Sequence, residues 1–314
     1  MKKVVIAIDS FKGCLSSAEA GKAAAEGIRS VFPECGILSL PIADGGEGML
    51  DVLIAATNGR EVQISAHNPL MEWHDTYYGI SEDGKTAFIE MASISGLPLV
   101  PPEKRNPMQT TSYGTGELIR DALERGCRNF IIGIGGSATN DAGLGMLQAL
   151  GFRFLNKEGK ILETGNGKIL MEVVSIDTSF VHPDLRTSHF TVACDVQNPF
   201  CGPEGAAYIF APQKGADRKM VEALDAGMKN FAEVIFHKTG KDISNHPGAG
   251  AAGGMGGSLL AFLNAKLKPG IQLMLETLDF SNKIKGADLI ITGEGKADKQ
   301  TLMGKVPSGI LDKA

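Results

Sequence analysis

Four times along this chain an apolar run of strand length breaks off into a polar, glycine-bearing loop and then a helix-like stretch. Lys3–Ile8 reads KVVIAI and ends at Asp9-Ser10-Phe11-Lys12-Gly13. Ile37–Ile42 ends at ADGGEG, Phe130–Ile134 at GGSATND, and Ala287–Thr292 at GEGKAD. Buried-type strands that alternate with helices specify a parallel α/β sheet, and such sheets bind ligands beyond the carboxyl ends of their strands. The loops therefore matter before any residue in them is considered. The first helix is expected to begin near Ser16 or Ser17, where Ser16 and Glu19 have capping-box spacing. The second is expected over about Gly48 to Thr57.

The remainder follows another pattern. Glu61–Met91 alternates polar and apolar residues and carries a DG turn, as hairpins do. Phe152–Leu162 repeats this around KEGK, and His189–Val196 and Ala206–Phe210 read as further strands. A chain of 314 residues suits two domains. The expected fold class is α/β in two domains. A Rossmann-like, mostly parallel three-layer α/β/α domain would use residues 1–60, 107–150 and 270–314. A second, mixed-sheet α/β domain, 61–106 and 151–269, would be inserted in it. A doubly wound domain normally returns to its sheet after a helix such as Pro307–Ala314, so a further C-terminal piece is expected.

Charge and cysteine usage exclude several classes. The net charge is −5 with no basic stripe, which argues against a nucleic-acid partner. Five cysteines without a CxxC pair, and histidines without an HxxxH pair, indicate reduced thiols rather than a zinc site or a disulfide framework. Met1-Lys2-Lys3 precedes only five apolar residues before Asp9, too few for a signal peptide. The longest stretch without charge or proline, Gly248–Ala265, begins almost entirely with Gly and Ala. It reads as a glycine loop entering a buried helix, and no membrane partner is expected.

Two motif matches lack the required context. Gly79-Ile-Ser-Glu-Asp-Gly84-Lys85-Thr86 fits a Walker A pattern, yet strand-like YYGI and TAFIEM flank it, so a hairpin turn is expected. Gly133-x-Gly135-x-x-Ala138 fits a relaxed dinucleotide fingerprint, but the next strand ends at Asn156 and not at an acid. What remains at Gly135 and Gly136 is an anion loop. Ser137, Thr139, Asn140 and Asp141 crowd behind it, more polar groups than one helix cap requires. GAGAAGGMGG, with Gly253, Gly254 and Gly256, is a second candidate backbone-lined loop.

Acids recur at strand ends: Asp9, Asp44, Glu47, Asp195, Glu294 and Asp298. Lys12, Lys214, Lys296 and Lys305 occupy similar loops. Carboxylates that hold Mg²⁺ or accept a proton, beside cations that hold phosphate or carboxylate, are the parts of a phosphoryl-transfer site. The catalytic candidates are Asp195, Lys12, Asp44 and Asp9. Candidates for contact with phosphate, nucleotide or substrate are Ser10, Gly45, Gly46, Glu47, Gly135, Gly136, Ser137, Asn140, Asp141, Lys214, Gly253, Gly254, Gly256 and Glu294. Asp195 and Glu294 are the candidate metal ligands.

Taken together, DSFKGCLSS (9–17), PIADGGEG (41–48), GIGGSATNDAGLG (133–145), DVQNPFCGPEGAA (195–207), APQKGA (211–216), GAGAAGGMGG (248–257) and ITGEGKADKQTLMGK (291–305) resemble the type 1 glycerate kinase family. Cys14 stands where that family often has serine. The resemblance implies ATP-dependent phosphorylation of D-glycerate with Mg²⁺ in the cytoplasm, usually giving 2-phosphoglycerate. It also implies two α/β domains with the active site in the cleft between them; a homodimer is the assembly to look for. Transfer to the 3-hydroxyl is the alternative within this reading. A non-catalytic small-molecule or nucleotide-binding protein and a dinucleotide-dependent oxidoreductase are the rivals outside it.

Overall fold

The computed structural model describes residues 2–11, 14–46, 48–296 and 305–314. In chain order the strands are β1 (Lys3–Ile8), β2 (Gly36–Ser39), β3 (Arg60–His67), β4 (Trp73–Ile80), β5 (Thr86–Glu90), β6 (Asn129–Gly133), β7 (Arg153–Leu155), β8 (Ser175–Asp177), β9 (His189–Ala193), β10 (Lys266–Lys268) and β11 (Leu289–Gly293). The chain divides into two compact units, Met1–Gly59 with Lys268–Ala314, and Arg60–Leu267.

The first unit is built on a parallel sheet in the order β11-β1-β2. Its centre is β1, whose Val4, Val5, Ile6 and Ala7 are completely buried, as an unbroken apolar run requires. The helix Ser17–Val31 follows β1. Its start carries the expected capping box: Ser16 Oγ accepts from Glu19 N, and the Glu19 carboxylate accepts from Ser16 N. Ala20, Gly21 and Ala25 form its buried face. A Cβ at Gly21 would lie 2.5 Å from Ser39 Oγ, so glycine lets the helix approach β2. Met49–Ala56, Gly270–Thr277 and Val306–Leu311 are further helices of this unit.

The second unit holds a mixed sheet in the order β10-β9-β6-β5-β4-β3, and a small antiparallel pair, β7-β8. Strands β5, β6 and β9 are parallel, while β3, β4 and β5 form an antiparallel meander. The Walker-like segment is the β4–β5 hairpin turn, with Ser81 N donating to Thr86 O at 2.9 Å and Gly84 at φ +70°. Residues 251–254 form a tight turn that enters the buried helix Met255–Phe262, as the glycine-to-helix reading of this stretch anticipates. Among the described residues no helix is long and apolar enough to cross a membrane.

Two expectations are corrected. Residues 107–150 lie in the second unit, not the first: β6 pairs with β5 on one side and β9 on the other, and the Phe130 and Phe190 rings stack at 4.7 Å. An apolar run such as NFIIG fits any buried parallel position, and its periodicity carries no information about which sheet receives it. Ala206–Phe210 is a helix, not a strand. Five apolar residues are compatible with either form, and here Ala206 and Ala207 are fully buried in the core cluster that includes Phe200.

Candidate active site

In the first unit the ends of three parallel strands converge on a cavity of about 350 Å³ lined by Asp9, Ser10, Phe11, Cys14, Asp44, Glu294, Gly295, Lys296 and Lys305. Asp9 directly follows β1 and Glu294 directly follows β11, whose ends are in register as Ile8 and Gly293. The Asp9 N–H donates to the Gly293 carbonyl at 2.9 Å, extending the sheet by one step and fixing the entry of both acids. Asp9 is 5% exposed, and its Oδ1 accepts from Ser10 N at 2.7 Å. Asp44 comes from the loop after β2, where its Oδ1 accepts from Gly46 N at 3.1 Å and Gly45 has φ +93°. A Cβ at Gly270 would lie 2.1 Å from the Asp44 carbonyl oxygen; glycine there lets the helix Gly270–Thr277 brace this loop.

The cavity thus brings together three of the sequence candidates as carboxylates, Asp9, Asp44 and Glu294, with the ammonium groups of Lys296 and Lys305. Phe11 and Cys14 were not singled out as site residues, although they stand in the motif that supplied Asp9 and Ser10. Lys12, Glu47 and Asp298 lie outside the described residues. Among those described, no three His, Cys, Asp or Glu side chains form a metal cage. Mg²⁺ ordinarily takes only one or two carboxylates, the rest of its octahedron coming from water and substrate phosphate. The oxygen donors of the cavity suit that mode.

The second unit carries the glycine loop after β6. Gly135 and Gly136 are exposed, and Ser137, Thr139, Asn140 and Asp141 are buried. Asp141 accepts from Ser112 N at 2.8 Å, Ser112 Oγ at 2.7 Å, Gly143 N at 3.1 Å and Gly145 N at 3.2 Å. Burial pushes its carboxyl pKa up, and these four donors oppose that shift. Asp141 is consumed in bracing the loop and is not presented to a ligand. The helix it precedes starts only at Leu144. Its partner Ser112, in the almost completely buried run Thr110-Thr111-Ser112, was not anticipated, because nothing local in the sequence joins it to Asp141.

Lys214 is 2% exposed, and its Nζ donates to Ser137 Oγ at 2.7 Å and to the Thr139 carbonyl at 2.6 Å. Burial pushes its pKa down to about 7, against the opposing charge of Asp141. The second glycine loop packs on the same residues. A Cβ at Gly253, where φ is +65°, would meet Thr139 O at 2.1 Å. At Gly254 it would meet Met228 Cε at 2.6 Å, and at Gly256 the Gly248 carbonyl at 2.4 Å. Close packing accounts for glycine at all three positions. Asp195 is exposed in the loop after β9. The register pairs Gly133 with Ala193, so Asp195 and Gly135 each lie two residues past the paired strand ends.

Comparison with known proteins decides the family. Residues 4–314 match the model of the glycerate kinase family. This chain belongs to the glycerate kinase family. It is 51% identical over 312 residues to a glycerate kinase of Haemophilus influenzae, covering 99% of this chain and 82% of that protein. To the glycerate 2-kinase of Escherichia coli it is 50% identical over 312 residues, with the same two coverages. A solved structure named for glycerate kinase 2 of Salmonella typhimurium LT2 superposes with a TM-score of 0.95 at 47% identity, covering all of this chain and 83% of that one. That structure thus shares the α/β fold described above.

Proposed function

We propose that this chain is a glycerate kinase that transfers the γ-phosphoryl group of ATP to the 2-hydroxyl of D-glycerate, giving 2-phosphoglycerate and ADP. Near full-length likeness to proteins named glycerate kinase and glycerate 2-kinase supports the substrate and the product. The observation that carries the chemistry is the cavity in which Asp9, Asp44 and Glu294 stand with Lys296 and Lys305.

Each step has a matching group. A lysine ammonium neutralises the glycerate carboxylate or a phosphate oxygen. The hydroxyl oxygen forms a bond to the γ-phosphorus as the bond to the bridging oxygen breaks, and ADP leaves. The hydroxyl proton passes to a carboxylate within hydrogen-bond reach, for which Asp9 and Asp44 are the candidates in the cavity and Asp195 the candidate in the second unit. Glu294 with one neighbouring acid is the proposed hold for Mg²⁺. When bound, the ion offsets the negative charge of the phosphates. The exposed Gly135–Gly136 tip supplies backbone N–H groups to an anion, which we take to be a phosphate. We assign the activity to the cytoplasm, in keeping with five free cysteines.

The test is ³¹P NMR of the product formed from ATP, Mg²⁺ and D-glycerate. A 2-phosphoglycerate resonance is expected. A 3-phosphoglycerate resonance overturns the regiochemistry, and retained ligand binding without turnover overturns the kinase reading in favour of a sensor.

A further inference from the structure

The loop that ends β6 is fastened on one side by neutral partners. Leu97 N donates to Gly136 O at 2.9 Å, Ala138 N to Ser95 O at 2.9 Å, and Thr110 Oγ1 to Ala138 O at 2.9 Å. On its other side the loop has a surplus of acceptors. Ser137 Oγ and the Thr139 carbonyl take both described hydrogen bonds of the Lys214 ammonium, while Thr139 Oγ1 and Asn140 Oδ1 are buried without any described partner. The lysine is driven into this place by its own turn. Pro212–Lys214 is a single tight turn closed by Lys214 N on the Ala211 carbonyl at 3.0 Å. Gly215 then takes φ +96° with its missing Cβ 2.2 Å from the Arg105 carbonyl, so no bulkier residue lets the turn sit so close.

Burying an ammonium group is costly, and a hydrophobic residue of similar length would fill the space without that cost. The amino group is therefore explained by what it holds, since no hydrophobic side chain could donate to Ser137 Oγ and the Thr139 carbonyl. We infer that Lys214 is a positioning residue: bonded to Ser137 and Thr139, it sets the shape of the Gly135–Gly136 tip that receives an anionic group of the substrates. It touches no ligand itself and acts through the loop. The anion proposed above is a phosphate; the carboxylate of glycerate, which suits bare N–H groups equally, is the other outcome that the test distinguishes. This inference rests on the kinase reading above for the identity of those ligands.

The experiment compares Lys214→Met, Ser137→Ala and the double variant with the wild-type chain. Steady-state kinetics with ATP, Mg²⁺ and D-glycerate are read beside calorimetric Kd values for each ligand, with circular dichroism to establish folding. Wild-type turnover tests the kinase reading separately, and the Kd values report on the loop whether or not turnover occurs. Lys214→Met is expected to raise KM and Kd for one ligand about tenfold while kcat stays within about threefold, because ground-state placement is what is lost. Ser137→Ala should raise the same constants by a smaller factor, and the double variant should be no worse than Lys214→Met. The ligand affected identifies the anion. A folded Lys214→Met chain with both Kd values within about twofold of wild type overturns the proposal, as do effects of the two substitutions that multiply. If Lys214→Met fails to fold, Ser137→Ala decides, and unchanged constants in that variant overturn it.

Discussion

The Ser17 hydroxyl donates to the carbonyl of Ile8 at 2.6 Å and accepts the Ile42 N–H at 2.8 Å, within the buried core of the first unit. One side chain thus links the end of β1, the start of the following helix and the segment after β2. Asp9 lies one residue beyond the first linked position and Asp44 two beyond the second. Ser17→Ala leaves the buried Ile42 N–H without this acceptor, and we expect a loss of about 1–3 kcal/mol in unfolding free energy. Activity should fall several-fold as the two acids lose their common anchor. Urea unfolding together with kcat/KM checks both, and a variant stable but equally active would detach Ser17 from the site.

Two glycines that look alike in sequence should behave oppositely. Gly253→Ala places a methyl group 2.1 Å from the Thr139 carbonyl oxygen at φ +65°, so a loss of more than about 3 kcal/mol is expected. Gly135→Ala meets nothing within 4 Å, so its stability should stay within about 0.5 kcal/mol of wild type. The methyl group at Gly135 should act on KM instead. Denaturation midpoints and steady-state kinetics of the pair give the answer; a neutral Gly253→Ala would remove the packing explanation for the second glycine loop.

Asp195 is exposed, so Asp195→Asn should leave stability within about 0.5 kcal/mol of wild type. If its charge serves as the base, kcat should fall roughly 10²–10⁴-fold. Partial recovery at high Mg²⁺ would mark it as a metal ligand, whereas the loss of a base is not restored by metal. Near-wild-type kcat at saturating ATP, glycerate and Mg²⁺ would pass the role of base to Asp44 or Asp9.

Lys214 gives a stability signature with a defined sign. Its folded pKa is depressed from 10.5 to about 7 by burial, with the opposing charge of Asp141 too weak to cancel it. Between those values the unfolded chain holds a proton that the folded chain has shed. Burial of the charge therefore weighs fully on the folded state below about pH 7, and this burden lifts as the pH rises toward the unfolded value. Wild type should gain on Lys214→Met by up to about 1.4 kcal/mol per pH unit in this window. Urea unfolding of both chains at pH 7, 8 and 9 measures the difference, and parallel trends would show that Lys214 stays protonated when folded.

The parts of the fold that sequence revealed are those set by nearby residues. KVVIAI is β1 to the residue, Ser16 and Glu19 do form the cap, and the strand character flanking Gly79–Thr86 outweighed its phosphate-loop pattern. Where partners are distant, the signal was absent. NFIIG is equally suited to two sheets, and Ala206–Phe210 is too short for its period to be read. The site divides in the same way. Asp9 and Glu294 were visible as acids directly after strands, and Asp44 as an acid in the glycine loop that follows β2, properties of the chain order alone. That Asp141 would be saturated by Ser112 and two glycine amides, or that Lys214 would be buried, depends on which loops meet, and no local pattern encodes it.

The insertion of residues 60–267 between the parts of the first unit also sets an order of events during synthesis. Strand β1 pairs with β11, and Asp288 accepts the N–H of Lys3 across a separation of 285 residues. At roughly 5–20 residues per second, the ribosome needs on the order of tens of seconds to supply that partner. For that interval the edge of β1 that will receive β11 has no native strand to pair with, although β2 and the helix between them have already emerged. The second unit has its whole sequence available first and can complete its own core while the nascent first unit waits. An unpaired apolar edge of this kind is the usual starting point for aggregation, so the burden on chaperones during expression should be concentrated at the N-terminal six-residue strand rather than in the larger unit.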